Sequence, residues 1–349
     1  MRLEQTRSAP MPRRQFLSVA AMGLAAAGLA GCSRAQAGSA APVVTATYIP
    51  ASYKDLYPGI AAFTDTAAGR SRGQLSFDLF DSGTLLGAEQ LLPGLLLGAA
   101  DVMFQTSSYV SSSYPVIGAM ELPFVTEDFA QHRRAIDPDG PLHTLINERL
   151  ALRGVRLLGS LPTSFEYLWT TDRPIRTPAD VRGMRIRVAG EIEGQTVKAF
   201  GGAPVTMSSA EAYQALERGT IDGIMSYVGT IVSRDLQKVV RYGTAAHFGA
   251  YSVDAYCRAD WYAEQNPVVQ AALDAGGAAL YQRGTDNMVT VHQQEYLPAV
   301  RDGGVEFLEP TPDEFAAFRA AVAPVYDHWH RMMSDPTVAT RALDLIRAA

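Results

Sequence analysis

From residue 43 onward, short apolar runs with strand spacing alternate with segments of helical spacing. Val43-Val44-Thr45-Ala46-Thr47-Tyr48 is rich in β-branched residues and stops before Pro50, which predicts a first strand. Apolar residues then fall at Tyr57, Ile60, Phe63 and Ala67 ahead of Gly69, the spacing of a helix and its stop. Leu75-Ser76-Phe77-Asp78-Leu79-Phe80 alternates with period two and predicts a second strand. Residues 87–97 have helical spacing, and Ala100-Asp101-Val102-Met103-Phe104 reads as a third strand. The β-α-β-α-β order predicts a mostly parallel sheet with helices on both faces.

The same rhythm restarts after Gly154. Val155-Arg156-Leu157-Leu158, Tyr167-Leu168-Trp169-Thr170 and Met184-Arg185-Ile186-Arg187-Val188 read as strands. Thr177-Pro178-Ala179-Asp180 predicts a short capped turn, with Thr as N-cap and Pro behind it. Ser208-Ser209-Ala210-Glu211 has the form of a capping box and predicts a helix through Leu216 that stops at Gly219. Ile221-Asp222-Gly223-Ile224-Met225-Ser226 returns as a strand. A final long helix is expected from Thr311-Pro312-Asp313-Glu314, a second capping box, with Phe315, Phe318, Val322, Val325 and Trp329 as its packing stripe. The pattern predicts two α/β lobes, with the chain crossing near residue 164 and again near 250. Lobe I takes residues 42–163 plus about 250–290, and lobe II takes 164–249 plus about 291–349. Two lobes joined by crossing strands make a hinged cleft, the architecture of a closing binder.

Composition agrees with two cores. The chain has 349 residues, 47% hydrophobic and 19% charged, which is long enough for two domains and too apolar for disorder. Two cysteines exclude a disulfide scaffold. Thirty basic against 36 acidic residues give −6 without a long basic run, which argues against nucleic acid as a partner. No apolar run reaches the ~18–20 residues of a membrane span.

The head of the chain reads as an address. Pro12-Arg13-Arg14-Gln15-Phe16-Leu17-Ser18 sets paired arginines before a short apolar stretch that ends in Leu29-Ala30-Gly31-Cys32. The twin arginine resembles a Tat export signal, and the tetrapeptide resembles a bacterial lipobox whose cysteine is acylated. Residues 1–31 are then a Tat-type lipoprotein signal peptide, Cys32 is the lipidation site, and residues 32–41 are a tether to the membrane. An ordinary signal cut after Ala35 or Ala37 is the alternative. Removing residues 1–31, with Arg2, Arg7, Arg13, Arg14 and Glu4, leaves 318 residues and a charge of −9. Cys257 is then without a partner and reads as a small buried residue.

Fingerprints of catalysis are missing. No Gly-x-Gly-x-x-Gly follows a strand, and neither a phosphate loop nor a Gly-x-Ser-x-Gly elbow occurs. The six histidines, His132, His143, His247, His292, His328 and His330, show no metal-ligand spacing, so no cofactor or metal is expected. Arg187 stands toward the C-terminal end of a predicted parallel strand, where α/β sheets place their ligand crevice. A helix starting near Glu191 would turn its positive end to the same place. A guanidinium offers a carboxylate a planar bidentate fork. An exposed arginine paired with a neighbouring carboxylate fits the same pattern, and Arg185 lies on the same strand face.

The stretch Arg176-Thr177-Pro178-Ala179-Asp180-Val181-Arg182-Gly183-Met184-Arg185-Ile186-Arg187-Val188 resembles the TRAP-transporter solute-binding proteins, the DctP-like family. So do Phe200-Gly201-Gly202-Ala203-Pro204-Val205-Thr206-Met207 and the run Glu211 to Gly223. Gly83-Thr84-Leu85-Leu86-Gly87-Ala88-Glu89 and Glu121-Leu122-Pro123-Phe124 extend the resemblance into lobe I. It implies a two-lobed periplasmic-binding-protein-like fold, type II-like, with a long C-terminal helix. It also implies a periplasmic receptor that catalyses nothing and hands a small organic acid to TRAP membrane permease subunits driven by an ion gradient. The family's carboxylate-binding arginine falls on Arg187, which leaves Arg185 at the surface.

Departures from the family bear on the ligand. Tyr167, beside Glu166, stands where many acid-binding members carry a second arginine, and Ser226 replaces a usual asparagine. A monocarboxylate with an apolar, aromatic or hydroxylated body therefore fits better than a dicarboxylate. Tyr48, Glu89, Gln105, Thr106, Ser107, Phe165 and His247, from loops at strand ends, are further lining candidates; core packing or a solvated loop would explain each one as well. Glu166 could take a cationic or hydroxyl group of the ligand. Met207 is expected to pack the cleft floor. Other readings are an exported lipoprotein enzyme with Glu166 or His247 as base, and a ligand-sensing module for a membrane sensor.

Overall fold

The computed structural model describes residues 41–349. The export signal of residues 1–31, the lipidation site Cys32 and all but the last residue of the tether lie outside the described residues.

Eleven strands run β1 (Val43–Thr47), β2 (Phe77–Phe80), β3 (Val102–Thr106), β4 (Val155–Pro162), β5 (Glu166–Thr170) and β6 (Arg185–Val188), then β7 (Ala203–Thr206), β8 (Gly223–Tyr227), β9 (Tyr242–Thr244), β10 (Ser252–Arg258) and β11 (Glu306–Leu308). They form two sheets, ordered β2-β1-β3-β10-β4 in lobe I and β11-β9-β5-β8-β6-β7 in lobe II. In the first, β2, β1 and β3 are parallel as the sequence predicts, but β10 is antiparallel to both β3 and β4. That strand arrives from the other lobe and runs back between its neighbours, an arrangement local β-α-β order does not encode. The second sheet is mixed as well, with β6 parallel to β7 and β8, and β5 antiparallel to β8 and β9. The chain passes between the sheets at residues 163–165, at 245–251, and after helix Pro267–Val291 through a π-helical turn, His292–Tyr296.

That helix, 25 residues long, is the longest of the described residues and packs on helix Tyr57–Arg70 and on β4. Its approach is set by glycine: a Cβ at Gly159 of β4 would lie 2.5 Å from the Gly277 carbonyl oxygen, and one at Gly277 would overlap the Leu158 carbonyl. Asn266 caps the helix by accepting from Val268 N and Val269 N.

The expected final helix is corrected. Its capping box forms as read, Thr311 accepting from Glu314 N and Glu314 from Thr311 N, but the helix ends at Ala321 and another runs Ala323–Met332. Pro324 lacks an N–H and its ring crowds the carbonyl of Ala320, which breaks the ladder at Val322. The stripe survives the break: Phe318, Val322, Val325 and Trp329 are all buried, while Phe315 is partly so. A further helix, Pro336–Ala348, packs on helices Phe129–Ala135 and Pro141–Ala151 of lobe I, so the end of the chain does not stay with lobe II. Gln131 donates to the Ile346 carbonyl there, and Arg149 pairs with Asp335. The box at Ser208 is half formed: Glu211 accepts from Ser208 N, but Ser208 Oγ takes Ala210 N and the helix starts only at Ala212. The turn at Thr177 has both halves of its box and is a 3₁₀ helix, Pro178–Val181. Cys257 is a buried free thiol, and no helix of the described residues is long and apolar enough to cross a membrane.

Candidate functional site

Arg187 lies on β6, one residue from its end, and is 2% exposed. Helix Glu191–Ala199 begins three residues beyond that end, so its positive N-terminus shares the sheet edge with the guanidinium. Arg187 Nε donates to the Met207 carbonyl at 3.0 Å, and Nη2 donates to the Tyr109 hydroxyl at 2.8 Å. Tyr109 follows β3 in lobe I and Met207 follows β7 in lobe II, so the arginine spans the seam. Ser209 N also donates to the Tyr109 hydroxyl, and the Tyr53 and Ser209 hydroxyls meet at 3.5 Å. Gly190, ahead of the helix, leaves no room for a Cβ against the Ser108 carbonyl. The lobes are closed on each other.

Around Arg187 the structure gathers several of the sequence candidates. Tyr48 stacks edge-on to Tyr109, with centroids 5.4 Å apart, and its hydroxyl bonds Thr106 Oγ1 at 2.7 Å. Ser226 Oγ lies 3.3 Å from the Tyr251 hydroxyl. Glu166 is 1% exposed and feels the charge of Arg187. Met207 meets the arginine through its backbone.

Other candidates are committed elsewhere or lie apart. Gln105 donates to the Ala88 carbonyl and accepts from Thr106 N, and Ser107 Oγ accepts from Ser252 N. Glu89 is exposed on a 3₁₀ turn. Phe165, Tyr167 and His247 line a separate cavity. Arg185 is exposed and paired with Asp222, Nη2 to Oδ1 at 2.6 Å, which separates it from the cleft.

Two buried carboxyls, Glu166 and Glu193, feel the charge of Arg187 without a hydrogen bond to it, and a third, Glu121, feels Glu193. Burial raises the Glu166 carboxyl well above its ordinary range, Glu193 and Glu121 add to the rise, and Arg187 opposes it. Glu121 is pushed up to about 8 by burial, with Glu193 adding to the effect. Burial also raises Glu193, against the pull of Arg187. Glu121, Glu166 and Glu193 each keep one oxygen, Oε1, without a protein hydrogen-bond partner among the described residues. Burial opposes the charge on Arg187, yet Tyr109, Glu193, Tyr251 and Tyr48 together hold its pKa above the usual arginine value. Among the described residues no three His, Cys, Asp or Glu side chains are grouped to hold a metal ion.

The sequence reading missed Tyr53, Tyr109, Tyr251 and Glu193. Tyr109 stands two residues past the last candidate taken from β3, and following the chain beyond the strand end to its first turn finds it. Glu193 lies in the first turn of the helix whose N-terminus was already placed at the site.

This chain is similar to known proteins over most of its described length. The 2,3-diketo-L-gulonate-binding periplasmic protein YiaO of Escherichia coli is 26% identical over 249 residues, covering 70% of this chain and 74% of that protein. The C4-dicarboxylate-binding periplasmic protein DctP of Rhodobacter capsulatus is 21% identical over 287 residues, covering 80% and 84%. A TRAP periplasmic solute-binding protein of Roseobacter denitrificans, solved with β-D-glucuronate, superposes with a TM-score of 0.80 at 22% identity, covering 88% of this chain and 99% of that one. The two-lobed fold is theirs. Residues 47–332 match the model of the DctP family, and the chain belongs to these bacterial extracellular solute-binding proteins, family 7.

Proposed function

We propose that the chain is the extracytoplasmic receptor of a TRAP transporter, closing on a small monocarboxylate and handing it to ion-driven permease subunits. The observation that carries this reading is Arg187. It is buried between closed lobes, and its hydrogen bonds go to a carbonyl and a tyrosine, none to a carboxylate. A buried guanidinium without a bonded counter-charge is suited to an anion that arrives with the solute. The relatives are named or solved with such acids, among them glucuronate, pyroglutamate and succinate.

One arginine with two buried carboxyls near it favours a single carboxylate on the ligand. A second would meet the like charge of Glu166 or Glu193, which hydroxyl or ammonium groups would not. The relatives' standing as solute-binding proteins supports a receptor over an enzyme. Lobe I, by the sequence reading, is 42–163 plus about 250–290 and lobe II is 164–249 plus about 291–349, with the terminal helix Pro336–Ala348 seated back on lobe I. Export through residues 1–31 and anchoring through Cys32 complete the proposal, resting on the lipobox. Cys32→Ser would release the protein from the membrane fraction; a variant that stays there removes the anchor.

The test is a thermal melt of the protein against glucuronate, pyroglutamate, pantoate and succinate, followed by recovery of the stabilising acid. Ligand at ~100 times Kd should add about 2.7 kcal/mol of stability. A shift with a monocarboxylate, recovered unchanged, supports the receptor. Chemical conversion of the acid overturns it, and a preference for succinate overturns the monocarboxylate.

A further inference from the structure

A cavity of about 290 Å³ lies behind the strand that carries Glu166, near the lower end of small-molecule sites. Its walls come from every segment by which the chain passes between the sheets. Ser164 and Phe165 belong to the first, His247 to the second and His292 to the third. Asp128 adds a wall from lobe I and Tyr167 one from lobe II.

The floor is aromatic. Phe165 and His247 stack with centroids 4.6 Å apart and planes 11° apart, and the Tyr167 ring runs parallel to His247 within 12° at 6.0 Å. Two backbone irregularities meet here. His247 holds a left-handed φ of 54°, which costs a residue with a side chain about 1–3 kcal/mol, and His292 opens the π-helical turn. Such features concentrate where a site is kept at a cost to the fold. Burial lowers the pKa of His247, and that of His292 to about 4, so both rings are neutral near pH 7. Asp128 Oδ1 caps a helix by accepting from Gln131 N, and among the described residues the carboxylate pairs with no cationic side chain. A neutral aromatic shelf under an acidic rim suits a planar cation.

We propose that this hinge cavity is a second ligand site, taking a planar aromatic or heteroaromatic group with one positive charge, and that its occupancy favours cleft closure. The cavity exists in a closed protein and its walls belong to both lobes. An occupant fitted to it therefore binds the closed state better and shifts the population toward it. Only the coupling rests on the receptor reading; binding to the cavity does not.

Benzamidine is the probe, with neutral benzamide as control, titrated into the full chain by calorimetry without any acid present. Benzamidine should bind at least about fivefold more tightly than benzamide, a modest charge effect. Asp128→Asn keeps the helix cap and removes one of the two carboxylates of the wall, Glu127 being the other, and should reduce that preference at least about twofold. His247→Gly removes the ring and relieves the left-handed strain, and should weaken both compounds while leaving the protein folded. Equal binding of the two compounds, or unchanged benzamidine binding in both variants, overturns the site. Saturating benzamidine should then tighten binding of the stabilising carboxylate by at least about fivefold, and the carboxylate should tighten benzamidine equally. Benzamidine that binds without moving the acid's Kd overturns the coupling alone. If no acid binds, the receptor reading fails while the titration still decides the cavity.

Discussion

The Tyr227 hydroxyl of β8 donates to Asp55 Oδ2 at 2.6 Å, joining the last strand residue before a lobe II helix to the loop after β1 in lobe I. Tyr296 of the π turn donates to the other oxygen at 3.3 Å, and Asn287 Nδ2 donates to the Asp55 carbonyl at 3.0 Å. One buried carboxylate thus ties both lobes and the third crossing. Burial pushes its pKa up to about 6 although both tyrosines oppose the rise. Tyr227→Phe leaves Asp55 short of a partner, at about 1–3 kcal/mol. Because the bond exists across the closed seam, the variant should bind acid at least about fivefold more weakly and scatter X-rays as a more open particle. Unchanged affinity would mean that the clasp is indifferent to closure.

Arg185 and Arg187 lie two residues apart on one strand and differ in partner. Arg185 is held by Asp222 at the surface; among the described residues Arg187 has no carboxylate bonded to it. Arg187→Ala should abolish the melting shift produced by acid, and Arg187→Lys should lose most of it, since an ammonium cannot make the planar fork. Arg185→Ala should keep the full shift. The comparison is read in parallel melts with and without acid.

The buried glutamates give a signed pH dependence. Glu121 has a folded pKa near 8, against an ordinary value of 4.5, so between those limits the folded state holds a proton that the unfolded chain has released. Stability then falls as pH rises through that window. His132, His143 and His292, each lowered to about 4, act in the opposite sense, but only below their ordinary value of 6.5. Between pH 6.5 and 8 the glutamate effect stands without that opposition. The melting temperature should drop across this interval, and Glu121→Gln should flatten the slope. An unaltered slope in the variant would assign the effect elsewhere.

Glycine at 277 is a packing requirement. A Cβ there would overlap the Leu158 carbonyl, so Gly277→Ala should force the long helix off β4 and destabilise by about 1–3 kcal/mol or more. Gly69, in the first helix, has open space around its Cβ direction. Gly69→Ala should stabilise by about 0.4–1 kcal/mol. Chemical denaturation of the pair checks both signs.

Much of this was legible in the chain. Strands β1 to β6 and β8 follow the apolar runs within a few residues, and both main crossings fall near residues 164 and 250 as read. Arg187 stands out because strand ends mark crevices, but a paired surface arginine fits that pattern equally, and the family resemblance is what separates it from Arg185. Helix Pro267–Val291 was not found: Gly276, Gly277 and Gly284 look like breaks, and it is buried on enough sides to blur a stripe. Only the tertiary contact with Gly159 explains why glycine is kept there. The split of the last long helix at Pro324 was readable and was overridden by the stripe that spans it. Tyr167 and His247 line the cavity with Phe165 and His292, a grouping of separate segments that sequence order does not encode. The tyrosines around Arg187 come from separate loops of the facing lobe, and only the tertiary fold sets them against it.

The long helix has a mechanical consequence. At 1.5 Å per residue its 25 residues make a rod of roughly 38 Å. Glycine contacts clamp it to β4 and to helix Tyr57–Arg70, so it travels with lobe I as a boom. Its free end delivers the third crossing, and a boom cannot bend along its clamped length. Whatever rotation lobe II makes must be taken up in the five residues His292–Tyr296, where the ladder is already loosened to π spacing. Amide exchange should show this as a step along one continuous helix, slow up to Met288 and fast from His292. Binding acid should quiet the fast side alone.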